Sequence, residues 1–226
     1  MPFKVDCNLL EQARIALSQH EKLYWLLGGA GAGKTSVCGI LSKRFGLPVY
    51  DMDSHIYGEY HARFTTRHPV NRAWVAAPNS LTWLLEMSWE EFDQFNRAAL
   101  PEYLDLLAED LQNPEYAHGV LVDGGVWHPA LLAQAIPPAQ IVCLVAPEQS
   151  SEQVWQENEE RQEMKAFIDQ LPMAETMWRK FLEFDALITA NILRESSTCG
   201  ISICTRGTGE TAAAFAECAR KALGIC

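Results

Sequence analysis

The residues with the clearest potential chemistry lie in one short glycine-rich stretch. Residues 28–36, GGAGAGKTS, fit the pattern G-x-x-x-x-G-K-[ST], with Gly28, Gly33, Lys34 and Thr35 at its fixed positions. Small residues let successive backbone N–H groups turn inward and bind an anion. A lysine at this position reaches the β- and γ-phosphates, and the hydroxyl that follows it ligates Mg²⁺. The predicted nucleotide-binding residues are Gly28, Gly29, Ala30, Gly31, Ala32, Gly33, Lys34, Thr35 and Ser36.

The elements on either side of this stretch suit that role. Residues 23–27 form an apolar run typical of a buried strand, and apolar residues recur at spacings of three and four from Val37 to Phe45, which predicts a helix. The positive N-terminal end of that helix favours phosphate. A glycine-rich turn that merely connects a strand to a helix is the alternative. The position of the full pattern between the two elements favours a nucleoside triphosphate site.

Three carboxylates follow two further predicted strands. Asp51 and Asp53 come at the end of strand 47–51, and Asp123 ends strand 119–123. Ligands bind at the carboxyl ends of the strands in open α/β sheets. An acid at the end of an apolar strand is also a usual companion of a phosphate loop, because it orients a water on Mg²⁺. The alternatives are local: Asp53 or Ser54 caps a helix, and Asp123 begins a turn.

Residues 28–56, GGAGAGKTSVCGILSKRFGLPVYDMDSHI, resemble the opening of shikimate kinase and, more broadly, of small P-loop kinases that include gluconate and nucleoside-monophosphate kinases. The resemblance is clearest over residues 23–57. It implies that ATP and Mg²⁺ are cofactors, that Asp51 helps to hold Mg²⁺ through water, and that Asp53 contacts the acceptor hydroxyl as base or orienter. From Tyr60 onward the family's acceptor-binding pattern is missing.

Two arginines acquire expected roles through the same resemblance. In such kinases the segment after the fourth strand is a lid, here residues 147–171, and Arg161 takes the place of the lid arginine, with Arg179 as the other candidate. The family's following proline is a glutamine here. The loop at 205–211 stands where the adenine base is held, so Arg206 could stack on the base. The alternatives are a surface ion pair for Arg161 and ordinary turn chemistry for the loop.

Residues 54–118 are predicted to form a helical, acceptor-binding insert. It opens with a basic cluster that is a candidate site for an anionic acceptor, with a solvated loop as the alternative: His61, Arg63, Arg67, His68 and Arg72. Ser88 and Glu91 form a capping-box pattern that starts a helix, and Pro101 is expected to open the next one. The acidic residues of this region are expected on a water-facing surface: Glu86, Glu90, Glu91, Asp93, Glu102, Asp105, Glu109 and Asp110.

The overall composition narrows the class of protein. The chain has 226 residues and a net charge of −11, which argues against a nucleic-acid backbone as the main partner. Its seven cysteines show no metal-binding or disulfide spacing, so we expect reduced and mostly buried thiols. No run reaches membrane-spanning length and the N-terminus lacks a signal-peptide core. We therefore expect a cytoplasmic protein with no membrane partner.

These features predict one domain, residues 1–226, with a three-layer α/β/α P-loop NTPase fold, a helical insert and a lid. Its parallel sheet is expected to contain five strands at 23–27, 47–51, 119–123, 140–145 and 201–204. The predicted function is transfer of the ATP γ-phosphoryl group to a small-molecule acceptor. The alternative is a nucleotide-binding regulator, or a non-catalytic ATPase, that has no such acceptor.

Overall fold

The structure is a computed structural model that describes residues 3–146, 150–157 and 159–226. Five parallel strands form one sheet in the order β2-β3-β1-β4-β5. The strands are β1 (Leu23–Leu27), β2 (Val49–Asp51), β3 (Val120–Asp123), β4 (Ile141–Val145) and β5 (Ser202–Thr205). The predicted five-stranded parallel sheet is confirmed, and each strand end lies within two residues of its predicted position.

The residue types of the strands explain their order in the sheet. The three central strands, β1, β3 and β4, are continuous apolar runs that are buried almost throughout, as expected for strands covered on both faces. The edge strands β2 and β5 are short and mostly exposed. The chain leaves β1 toward β2 and β3 on one side and later continues to β4 and β5 on the other. The carboxyl end of β1 thus lies where the topology reverses, the usual ligand position in such sheets.

Helices connect all the strands. They are α1 (Cys7–Leu17), α2 (Lys34–Phe45), α3 (Met52–Ile56), α4 (Pro69–Val75), α5 (Ser80–Glu86), α6 (Trp89–Asp110), α7 (Pro129–Leu132), α8 (Ser151–Gln156), α9 (Glu159–Ile168), α10 (Ala174–Thr198) and α11 (Ala212–Ala222). Short 3-10 turns lie at Glu59–Ala62, Pro114–Tyr116 and Pro138–Gln140. No helix within the described ranges is long and apolar enough to cross a membrane.

Two hydrophobic clusters cover the two faces of the sheet. On one face, α2 and α11 contribute apolar side chains that include Val37, Leu41 and Phe215. On the other face, a larger cluster draws on α1, α6 and α10 and continues into the helices between β2 and β3. This arrangement of helices on both faces is compatible with a three-layer α/β/α fold.

The prediction that Pro101 starts a new helix was wrong. Helix α6 runs without interruption from Trp89 to Asp110 and contains Pro101 in its interior. A proline there removes one backbone hydrogen bond and costs about 3 kcal/mol. The Ser88–Glu91 capping box is formed at the N-terminus, and the residues on either side of the proline, from Ala98 to Ala108, are buried. Tertiary packing therefore maintains the helix through the proline.

Two of the acidic residues expected in water are buried instead, and each has a structural partner. Glu102 is 2% exposed and accepts hydrogen bonds from the backbone N–H groups of Val70 and Asn71 at 2.9 Å. These N–H groups belong to the first turn of α4, so Glu102 caps that helix from another part of the chain. Asp105 is 7% exposed and pairs with Arg67. The expectation of a wholly water-facing acidic surface was wrong for these two residues.

The seven cysteines are free thiols. Cys38, Cys143 and Cys204 are buried, as expected, whereas Cys7, Cys218 and Cys226 are exposed. The prediction of buried thiols was therefore wrong for these three exposed cysteines.

Candidate functional site

The glycine-rich loop (residues 28–33) joins β1 to α2. At two of its positions, Gly28 and Gly29, the surrounding atoms leave no space for a side chain. A Cβ atom built on Gly28, whose φ is +151°, would lie 2.5 Å from the carbonyl oxygen of Leu144. A Cβ atom on Gly29 would lie 2.3 Å from the Thr189 hydroxyl of α10. Distances under 3.0 Å are steric clashes for a Cβ atom. The loop is thus enclosed between β4 and α10, which explains why glycine occupies both positions.

Lys34 is the first residue of α2 and lies over this loop. Its Nζ atom donates hydrogen bonds to the carbonyl oxygens of Gly28 at 3.0 Å and Gly29 at 3.2 Å. Thr35 and Ser36 follow in the first turn and are exposed. Gly33, the N-cap residue that precedes the helix, has the left-handed conformation and provides no side-chain cap. The N-terminus of α2 is therefore electropositive, because the N–H groups of its first turn have no partner within the helix and Lys34 adds a positive charge.

Asp51 and Asp123 lie side by side at the carboxyl edge of the sheet. They are register partners in the β2–β3 pair, and Asp123 is also the register partner of Leu26 in β1. Asp123 is 6% exposed, and its Oδ1 atom is buried without a hydrogen-bond partner among the described residues. Burial raises the pKa of Asp123, while a hydrogen bond with Thr35 and the charge of Lys34 oppose that rise.

These groups fit a Mg²⁺ ion. Thr35, Asp51 and Asp123 offer oxygen atoms, which Mg²⁺ prefers, and the unpaired Asp123 oxygen is the kind of buried group that a cation stabilises. Within the described part of the chain, no cluster of three or more histidine, cysteine, aspartate or glutamate side chains could hold a metal ion by itself. Proteins bind Mg²⁺ through one or two carboxylates together with water and substrate phosphates, so Thr35, Asp51 and Asp123 are the residues that would hold it.

The helix-capping role at this edge belongs to Asp51 rather than to Asp53 or Ser54. The Oδ1 atom of Asp51 accepts a hydrogen bond of 3.0 Å from the backbone N–H of Ser54 at the start of α3. The alternative prediction placed the cap on the wrong residue. A carboxylate has two oxygens and several lone pairs, so this cap leaves Asp51 with capacity to accept from a metal-bound water.

Asp53 lies in the first turn of α3, where it meets Lys34 and β3. A Cβ atom on Gly124 would be 2.6 Å from Asp53 Oδ2 and 3.2 Å from Lys34 Cε. The three residues thus converge, and only a glycine at 124 allows their approach. The backbone N–H of Gly125 donates to the Asp53 carboxylate.

The environment of Asp53 raises its pKa to about 6. Desolvation by the surrounding walls is the main cause, and the charges of Asp51 and Asp123 add to it; Lys34 and the Gly125 N–H act in the opposite direction. The side chain is nevertheless open to solvent, because it lies at the bottom of a cavity rather than inside the core. A carboxylate with a raised pKa in a cleft is a candidate for acid–base chemistry.

That cavity has a volume of about 370 Å³ and extends from the glycine-rich loop past Asp53 into an aromatic region. Its polar end contains Gly28, Gly29, Ala30, Lys34, Asp53, Gly124 and Gly125. The remaining lining residues are Tyr57, Leu81, Leu84, Leu85, Phe92, Val126, Trp127, Trp155, Met164, Phe181, Phe184, Asp185, Ile188 and Ile192. The sequence analysis did not predict that these residues share a cavity.

Arg161 is close to the glycine-rich loop. Its Nη1 atom donates to the carbonyl oxygen of Val154 at 2.8 Å and lies 3.6 Å from Glu157. A Cβ atom on Gly31 would be 3.7 Å from the same nitrogen. The ion pair given as the alternative is present, and the role of Arg161 as the lid arginine stays a prediction. Arg179 is exposed on α10. Residues 147–149 and 158 of the predicted lid lie outside the described residues.

Arg206 fixes the loop that follows β5. Its guanidinium donates to the Glu210 carbonyl oxygen at 3.1 and 3.0 Å, and the backbone N–H of Gly207 donates to the Glu210 side chain at 2.8 Å. These contacts are the ordinary turn chemistry that the sequence left open. A role in stacking on a base stays a prediction.

The basic cluster is largely used in ion pairs with α6. Arg63 lies 2.7 Å from Asp110, and Arg67 and His68 lie 2.7 and 3.0 Å from Asp105. None of the five cluster residues is among the described residues that line the 370 Å³ cavity. An anionic acceptor at this cluster stays a prediction, although Arg63 and Arg67 already have carboxylate partners.

Comparison with known proteins does not assign the chain to a family. No protein-family model matches it, and no curated protein is similar to it. The functional conclusion therefore depends on the geometry of the site.

Proposed function

We propose that this protein is a P-loop phosphotransferase that moves the γ-phosphoryl group of ATP to a small-molecule acceptor. The observation that carries the proposal is the convergence of Lys34, the Asp51–Asp123 pair and Asp53 at the carboxyl edge of the sheet. Asp53 and Lys34 also line a cavity large enough for an organic acceptor. A protein that only binds a nucleotide needs no cavity for an acceptor next to Lys34.

Each group has a distinct task in this reaction. The glycine-rich loop and the start of α2 bind the phosphates, and Lys34 exchanges its loop carbonyl partners for phosphate oxygens. Mg²⁺, when bound near Thr35, Asp51 and Asp123, neutralises phosphate charge. Asp53 orients the acceptor hydroxyl and takes its proton.

The transfer step balances in atoms and charge. The acceptor oxygen forms a bond to the γ-phosphorus while the bond from that phosphorus to the β–γ bridging oxygen breaks. ADP leaves with that electron pair, and the hydroxyl proton passes to Asp53. Arg161, beside Gly31, is placed to stabilise charge on the transferred group. Positioning and charge neutralisation supply most of the catalysis in reactions of this kind.

The test is acceptor-dependent release of ADP by the purified chain, compared with the Lys34→Ala variant. We expect Lys34→Ala to reduce turnover by on the order of a thousandfold, the scale on which a lost electrostatic contact to the transition state acts. Its fold should be unchanged because the side chain lies at the surface of the loop. Lys43→Ala, an exposed lysine near the other end of the same helix, is the matched control.

Two outcomes contradict the proposal. The first is full turnover by a correctly folded Lys34→Ala variant. The second is ATP binding with no acceptor that raises ADP release above the basal rate, which would favour a nucleotide-binding regulator or a non-catalytic ATPase.

A further inference from the structure

The composition of the 370 Å³ cavity indicates what kind of acceptor this protein takes, and the inference rests on the proposed phosphotransferase function. We propose that the acceptor is an alcohol with an apolar, ring-containing body and no anionic group. Its hydroxyl lies at the Asp53–Lys34 end, and its body packs among the aromatic side chains of the far end.

The aromatic wall is built from distant parts of the chain that pack on one another. The rings of Phe92 and Trp127 stack at 5.5 Å, and Phe92 and Phe184 lie 4.6 Å apart. Trp155 meets Phe181 edge-on at 4.7 Å. Residues of α6, α8 and α10 and of the segment after β3 therefore form one surface. Mutually packed rings give a fixed apolar shape that suits a flat ligand body.

Charge in the cavity is confined and mostly negative. Among the described lining residues, Lys34 is the one cation, and its partners in the proposed reaction are the phosphates of ATP. The two carboxylates are Asp53 at the polar end and Asp185 in the wall formed by α10. Asp185 has no hydrogen bond or ion pair to another described residue, so its charge faces an incoming ligand uncompensated. A ligand carrying a carboxylate or phosphate would therefore meet repulsion from Asp53 and Asp185, and among the described lining residues only Lys34, whose proposed partners are the phosphates of ATP, is available to pair with it.

The size of the cavity limits the ligand further. A volume of 370 Å³ is at the lower end of the range for small-molecule sites. It accommodates roughly two fused rings with a short hydroxyl-bearing arm. A sugar acid is a poor match, because its hydroxyl groups would lose water and find few polar partners in the apolar wall.

The experiment uses a matched pair of probes, naphthalenemethanol and its carboxylate-bearing analogue hydroxymethyl-naphthoate. Binding to the full-length protein is followed without ATP by quenching of tryptophan fluorescence, since Trp127 and Trp155 line the cavity. ADP release is then measured with ATP and Mg²⁺. We expect saturable binding of naphthalenemethanol, at least tenfold weaker binding of the carboxylate analogue, and ADP release with the alcohol. Gluconate and shikimate serve as polar anionic comparison acceptors.

Variants locate the binding. Phe181→Ala should weaken naphthalenemethanol binding by about tenfold or more, the scale expected for a large aromatic contact. Phe45→Ala removes a partly buried ring from the cluster on the other face of the sheet and should leave binding unchanged. Asp185→Asn should reduce the discrimination against the carboxylate analogue severalfold, because it removes the repulsive charge.

The outcomes separate this inference from the proposed function. Equal binding of both probes, or no effect of Phe181→Ala, overturns the inference. Turnover with gluconate or shikimate but not with the apolar alcohol overturns it while leaving the phosphotransferase intact. Binding of the alcohol without ADP release supports the apolar ligand class and contradicts the phosphotransferase.

Discussion

Two groups of carboxylates in this molecule differ sharply in their surroundings. Those at the carboxyl edge of the sheet, Asp53 and Asp123, have raised pKa values, and Asp123 has an oxygen without a partner in the described structure. Those that join the helices, Asp105 and Glu195, have lowered pKa values and cationic partners at 2.7 Å. The carboxylates at the edge of the sheet are available to a ligand, whereas those that join the helices are already paired with cations. This difference separates a candidate site from a structural network better than residue type does.

The engaged group shows how burial is compensated. Burial by itself would raise the pKa of Glu195, but its interaction with His128 and its hydrogen bonds from the Ala130 N–H and from Arg97 outweigh that effect and lower the pKa to about 2. Arg97 of α6 pairs with Asp93 of the same helix at 2.8 Å and with Glu195 of α10 at 2.7 Å, and the second pair connects α6 to α10. Buried charges that are paired and hydrogen-bonded in this way stabilise one packing arrangement.

Among the carboxylates, the comparison predicts the largest catalytic loss at Asp53. Asp53→Asn should lower turnover by on the order of a hundredfold or more, because it removes the group proposed to take the acceptor proton. ATP affinity should change little, since Asp53 is proposed to act on the acceptor rather than on the nucleotide. Steady-state ADP release and nucleotide titration measure the two effects separately.

Ser54→Ala, at the exposed neighbouring position, is the control for Asp53→Asn, because it keeps the backbone N–H that Asp51 caps. Undiminished acceptor phosphorylation by Asp53→Asn would mean that this carboxylate belongs with the structural group.

Glu195 should give the opposite result, a loss of stability without a direct catalytic role. A pKa lowered from 4.5 to about 2 corresponds to a stabilisation on the order of 3 kcal/mol at neutral pH. That stabilisation is present above the unfolded-state pKa near 4.5 and is lost as the pH falls toward 2. Glu195→Gln should therefore reduce the free energy of unfolding at pH 7, and the deficit should shrink progressively as the pH falls below 4.5.

Urea denaturation at several pH values checks this prediction. Glu183→Gln, an exposed glutamate on the same helix, should show almost no deficit at any pH. A deficit in Glu195→Gln that is independent of pH would mean that packing rather than charge holds α6 and α10 together.

The sequence predicted those features that depend on neighbours along the chain. The pattern from Gly28 to Thr35 and the strand before it were recognised because the spacing of residue types along the chain identifies them. The five parallel strands were predicted because short apolar runs alternate with helical patterns. Helix α6 was divided wrongly at Pro101 because a local rule ignores the buried residues on both sides. Glu102 was placed in water because its partner, Asn71, is 31 residues away.

The same limit explains what was missed at the site. The aromatic wall combines residues from segments separated by up to about half the chain, and no periodicity within one segment predicts that they meet. The helix cap was placed on Asp53 or Ser54 instead of Asp51 because its position depends on where α3 begins, and helix ends are the least certain part of a pattern. Ion pairing of the basic cluster likewise required knowledge of which face of α6 it contacts.

Replacement of Arg161 is expected to have a smaller catalytic effect, and it tests whether this arginine belongs to the candidate site or to a structural network. Arg161 has a backbone and a carboxylate contact beside the glycine-rich loop, so it could belong to either category. If it stabilises charge on the transferred group, Arg161→Ala should lower kcat by about tenfold or more and leave ATP affinity nearly unchanged. Equal losses in kcat and in ATP affinity would indicate ground-state binding instead. Arg179→Ala, on the exposed side of α10, is the control.

The smallest effect is expected at Asp51, which belongs partly to both groups of carboxylates. It caps α3 through the Ser54 N–H, and it neighbours Asp123 at the proposed Mg²⁺ position. Asp51→Asn keeps an oxygen that can cap the helix, so stability should change by only a few tenths of a kcal/mol. The lost charge should raise the Mg²⁺ concentration needed for half-maximal turnover severalfold, with kcat restored at saturating Mg²⁺. Asp51→Ala removes the cap as well and should cost about 1 kcal/mol more in stability. An unchanged Mg²⁺ requirement in Asp51→Asn would assign this residue to the helix alone and leave Asp123 as the acid that serves the metal.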